Sequence, residues 1–122
     1  MEDSLLPDEA QRLVTETLAS MDHVEALFHL RRRGGRTAAE LAAAARIHPT
    51  LLQRVLLDLT SAKLVVEQHG TFELTDTPRD RAAIDELVEV YNRRPVTLVR
   101  AVYGRPAAAK RFTDAFRLPA DE

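Results

Sequence analysis

The chain has 122 residues, 45% of them hydrophobic, enough for one domain that buries about two-thirds of its unfolded surface. It contains no cysteine, which excludes disulfides, thiolate metal sites and cysteine nucleophiles. The net charge is only −2, yet residues 1–30 carry seven acids against Arg12 alone, and residues 90–118 carry seven bases against Asp114 alone. Acidic and basic helices therefore face each other or a symmetry mate, or the basic end is kept for a polyanion. No hydrophobic run approaches the roughly 20 residues that cross a bilayer, and Met1 to Pro7 lacks the basic and apolar regions of a secretion signal. A cytoplasmic protein without membrane contact is expected.

In chain order, Pro7-Asp8-Glu9 opens a first helix with an inner stripe of Ala10, Leu13, Val14, Thr17 and Leu18. A second runs from about Met21, with Val24, Leu27 and Phe28 inward, to Arg31-Arg32-Arg33, where cations meet the negative end of the helix dipole. A phosphate-contacting role is the alternative reading of that run. Gly34-Gly35 is a turn, too short for a phosphate-binding loop.

Thr37 and Glu40 have the spacing of a capping box and start a short helix carrying Leu41, Ala42 and Ala45. Pro49 then starts a longer one, with Leu52, Val55, Leu56 and Leu59 inward and Thr50, Gln53, Arg54 and Ser61 outward. A hairpin follows. A two-residue turn at His69-Gly70 would set Glu67 opposite Phe72 and Val66 opposite Glu73, placing charge against apolar surface on both faces. A three-residue loop, Gln68-His69-Gly70, avoids this by pairing Leu64 with Leu74 and Val66 with Phe72, and is the expected register. It leaves Glu67 and Glu73 together on the outer face. Beyond it, Pro78 opens an amphipathic helix with Ile84, Leu87, Val88 and Tyr91 inward, and Pro95 and Pro106 each open another.

The stretch from Thr37 to Thr75, with its "TAAELA" helix, turn, "LLQRVLLDLTSAKLV" helix and hairpin ending "TFELT", resembles the winged helix-turn-helix superfamily of bacterial transcriptional regulators. It is similar too to the winged-helix dimerisation domain of small-molecule O-methyltransferases, although the catalytic domain of those enzymes is absent from the sequence. The fold expected is mainly α with a small β-hairpin, a winged helix-turn-helix with additional N- and C-terminal helices in one domain. Residues 1–36 would supply the N-terminal helices, 37–75 the helix-turn-helix and wing, and 77–118 C-terminal helices suited to a homodimer contact.

No nucleophile elbow, nucleotide loop or metal-ligand spacing stands out, so no enzyme, cofactor or metal site is expected. The function the resemblance implies is DNA binding, with Gln53 and Arg54 reading bases, His48 beside them, and Arg36, Arg46 and Thr50 holding phosphates of double-stranded DNA. The alternative is a protein-association module without DNA binding, its basic C-terminal helices meeting an acidic partner. Two features favour it. Residues 37–75 carry three bases against four acids, and Leu57 lies on the outward flank of the Pro49 helix, where either a protein partner or an added C-terminal helix would cover it.

Overall fold

The computed structural model describes residues 6–104. Six helices and a small sheet follow one another: α1 (Asp8–Glu16), α2 (Met21–Arg32), β1 (Arg36–Thr37), α3 (Ala38–Ala45), α4 (Pro49–Ser61), β2 (Val65–Gln68), β3 (Thr71–Leu74), α5 (Pro78–Arg93) and α6 (Pro95–Gly104). The sheet is antiparallel in the order β1-β3-β2. This is a winged helix-turn-helix: α2, α3 and α4 form the helical core, β2 and β3 the wing, and α1, α5 and α6 are added around it. The expected helix at Pro106 lies outside the described residues.

Local chemistry explains the boundaries. The capping box at α3 is present in full, with Glu40 N–H donating to Thr37 Oγ1 at 3.1 Å and Thr37 N–H to Glu40 Oε1 at 3.0 Å. α3 ends at Arg46, which adopts a left-handed φ of 58° while Ile47 N–H reaches back to the Ala42 carbonyl at 3.0 Å. Three residues later Pro49 takes the first position of α4, where its missing N–H costs nothing. Leu52, Val55, Leu56 and Leu59 then bury one stripe of α4, each at most 3% exposed. They join Leu27 and Leu30 of α2, Leu41 of α3 and Leu64 and Val65 at the wing in one continuous core.

The strand β1 was not expected. It has two residues, and Gly35, at φ +68°, directs the chain into it; Gly35 N–H donates to the Phe72 carbonyl at 3.1 Å. Such a strand is too short to show an alternating pattern, and Thr37 reads in sequence only as a helix cap.

The hairpin register also corrects the expectation. Val65 pairs with Leu74, Val66 with Glu73, Glu67 with Phe72 and Gln68 with Thr71. The loop is therefore the two-residue turn His69-Gly70, with φ of 55° and +83°. Positive φ at both central residues matches the right-handed twist of the strands better than a bulged loop does. The objection to this register, charge opposite apolar side chains, presumed that the whole ribbon is covered. Only its base is: Val65 and Leu74 are buried, whereas Val66 is 47% exposed and Glu67 and Glu73 are both exposed. Glu67 and Glu73 consequently stand on opposite faces of the wing instead of sharing the outer one.

α1, α5 and α6 pack on one another, with Ala10, Leu13 and Val14 meeting Ala83, Ile84, Leu87 and Leu98 in the same core. Ion pairs rim this layer. Arg12 bridges Glu9 at 2.8 Å and Asp80 at 3.0 Å, Arg79 also reaches Glu9 at 3.2 Å, and Arg31 meets Asp85 at 2.6 Å. The Arg12 and Arg79 guanidiniums hold the Glu9 carboxyl below its usual range, and the Glu9 and Asp80 carboxylates raise Arg12.

Candidate nucleic-acid interface

α4 turns one stripe to the core and the opposite stripe outward. His48, Pro49, Thr50, Leu51, Gln53, Arg54 and Leu57 are all exposed, so this face interleaves polar and cationic side chains with apolar ones. None of the described helices crosses it. Leu57 is 61% exposed, because α5 and α6 pack against α1 and each other instead of capping α4. Of the C-terminal helices expected to cover Leu57, α5 and α6 do not; the one expected at Pro106 lies outside the described residues.

The six residues read from the sequence fall into four groups. Thr50, Gln53 and Arg54 sit on the outward side of α4, Thr50 one turn before the other two. Arg46 precedes α4 at the exposed left-handed end of α3. Arg36 lies in β1, paired with Phe72 of the wing; it is half-buried and its Nε donates to the Arg33 carbonyl at 3.2 Å. The sheet thus brings Arg36 and the wing together, while Arg46, Thr50 and Arg54 share the α4 side. His48, exposed beside them, also has a structural role. Its Nδ1 accepts from Thr50 N–H at 3.1 Å, so the ring serves as the cap of α4 and its Nε2–H alone is left to reach outward.

Electrostatics separates this side from the α1/α5 layer. Among the described residues neither Arg46 nor Arg54 has a carboxylate partner, in contrast to Arg12, Arg31, Arg79 and Arg93. Two carboxylates flank the interface. Glu67 stands over the hollow between α4 and the wing, and Glu73 lies beside Gly34 and Gly35, a side-chain carbon 3.7 Å from where a Cβ on Gly34 would sit.

A buried tie fixes how α4 is presented. His23 of α2 is 5% exposed, with Nε2 2.9 Å from Asp58 Oδ2 on α4 and Nδ1 2.9 Å from Ser20 Oγ. An ionised Asp58 accepts from Nε2–H, which leaves Nδ1 to accept the Ser20 hydroxyl proton. Asp58 is thereby hydrogen-bonded to α2, with its side chain still 39% exposed one turn beyond Arg54. The sequence holds no signal for this tie, since 35 residues separate His23 from Asp58.

α4 and its neighbours also enclose two shallow hollows. One lies between α3 and α4, lined by Ala39, Ala43, Pro49 and Gln53; the other lies between α4 and the wing, lined by Gln53, Leu57, Phe72 and Glu67. Gln53 borders both.

No family model and no curated protein matches the chain. A crystal structure of a provisionally named transcriptional regulator protein from Pseudomonas aeruginosa aligns with it at 24% identity and a TM-score of 0.46, covering 90% of this chain and 84% of that one.

Proposed function

We propose that the protein is a non-catalytic DNA-binding regulator that lays α4 in the major groove of duplex DNA. The observation that carries this reading is the outward stripe of α4: uncovered, and bearing Arg54 without an acidic partner. At 13 residues α4 is about 20 Å long at 1.5 Å per residue, enough to cross the groove. Gln53 and Arg54 read base edges, since both can bond bidentately there, Gln to adenine and Arg to guanine. Thr50, the capping His48, Arg46 and Arg36 fix the register on the phosphates. Asp58 is held by a hydrogen bond from His23, which ties its carboxylate to α2.

A homodimer gives two such helices. α6 supports it with an apolar stripe of Val96, Val99 and Tyr103, exposed by 60%, 38% and 54%, one or two turns apart on one face. Transcription regulation in the cytoplasm follows from this reading.

Anisotropy of a labelled duplex at two salt concentrations tests it. Binding that falls steeply with salt, and falls further in Gln53→Ala with Arg54→Ala, is the expected result; no binding at the lower salt refutes it. The second reading is a protein-association module without DNA binding. The exposure of Leu57 together with Leu51 (46%) and Val66 (47%) favours it, and a chain that captures a partner while ignoring DNA would establish it.

A further inference from the structure

The residue at the centre of the reading face is a glutamine, and apolar surface surrounds it. Gln53 stands where the two hollows meet: Ala39, Ala43 and Pro49 wall the first, Leu57 and Phe72 the second. Leu57 is 61% exposed one turn beyond Gln53, on the same outward side, so this leucine is held in water by the free protein. Exposed leucine is common and needs no explanation by itself. What singles this one out is its company: a side chain with paired donor and acceptor, a hollow of apolar atoms on either side of it, and a cation at Arg54 to draw in a polyanion.

Resting on the DNA-binding reading above, we infer that the face built from Gln53 and Leu57 selects A·T base pairs, Gln53 bonding adenine and Leu57 packing on the thymine methyl group. The chemistry is directional. A glutamine side chain can accept from adenine N6–H and donate to N7 together, and the thymine C5 methyl is the one apolar group that a base pair shows in the major groove. A G·C pair in the same place would offer Leu57 no methyl group and would set the cytosine amino group and the guanine acceptors near the apolar walls, where they lose hydrogen bonds to water. Glu67 adds selectivity of a second kind. Its exposed carboxylate stands over the Leu57 hollow and repels phosphate, so a base edge enters that hollow and the sugar-phosphate backbone does not. Arg54, exposed next to Gln53 on α4, is left to read a guanine or a phosphate next to the A·T pair.

The test is selection of bound duplexes from a randomised pool, followed by replacement of each thymine of the enriched site with deoxyuridine, which removes only the methyl group. The wild-type chain should enrich a site with A·T pairs and lose about fourfold in affinity at one thymine position, the value of one buried methyl. Leu57→Ala should bind that site more weakly and no longer distinguish thymine from uracil there, and Gln53→Ala should lose the adenine preference while keeping its salt dependence. An enriched site without A·T pairs overturns the inference, as does a thymine-to-uracil change that affects wild type and Leu57→Ala alike. Salt-dependent binding without any enriched sequence overturns it too, but leaves the DNA-binding reading standing. A pool from which nothing binds at low salt overturns both.

Discussion

The two sides of the molecule use arginine in opposite ways. Around α1 and α5, Arg12, Arg79 and Arg31 are spent on Glu9, Asp80 and Asp85 within the chain, and the shifted ionisation of Glu9 and Arg12 records that pairing. Along α4, Arg46 and Arg54 have no such partner among the described residues, and the one acid of that helix, Asp58, is held by His23. Net charge averages the two and conceals the difference. A cation already paired contributes little to a polyanion's affinity, since its counter-charge must first be displaced; an unpaired one contributes fully. The balance of three bases against four acids in residues 37–75 therefore understates what α4 presents.

Substitutions can break or sharpen this contrast. The largest effect is expected where α4 meets the core: Leu59→Ala, at a fully buried position, should cost about 2–5 kcal/mol in denaturant unfolding and remove both sides together. Arg54→Ala should weaken duplex binding by about 1–3 kcal/mol if it reads a base, whereas Arg79→Ala on the α1/α5 side should leave it unchanged in the same titration. His23→Ala should destabilise by about 1–3 kcal/mol, the cost of leaving a partner unsatisfied, and should weaken binding by freeing the Asp58 charge beside α4.

Arg46→Gly divides stability from function. Arg46 occupies a left-handed conformation that costs a non-glycine residue about 1 kcal/mol, so the glycine variant should melt at higher temperature while binding duplex less tightly. A variant that loses both would place Arg46 in the structure of α3 instead. The smallest effect concerns pH. Burial and the Glu25 carboxylate, which accepts the Tyr91 hydroxyl proton, push the Tyr91 hydroxyl up to about 12. The folded state thus keeps a proton that the unfolded chain releases near 10, so this contribution is fully present below pH 10 and is lost as pH rises toward 12. Tyr91→Phe should flatten the alkaline part of the stability profile.

How much of this was legible in the sequence depended on how local the signal is. The α3 capping box, Pro49 at the start of α4 and the Leu52–Val55–Leu56–Leu59 stripe all lie within a few residues of what they determine, and each is present. The wing register failed for a different reason. Coverage of side chains does not decide it: His69 adopts the left-handed conformation that a two-residue turn needs, and the ribbon beyond Val65 and Leu74 is open to water. The outward place of Leu57 follows from helix spacing, whereas β1 and the Ser20–His23–Asp58 tie depend on tertiary placement, and no spacing in the chain encodes them.

The central claim is that the outward stripe of α4 is the surface that meets DNA. The most direct measurement is the movement of backbone amide signals as a duplex is titrated into the isotope-labelled 13.7 kDa chain. The account predicts that signals of Thr50, Gln53, Arg54 and Leu57 move together with Arg46 while those of α1 and α5 stay in place. Movement confined to α6 or the wing, or none at low salt, would contradict it.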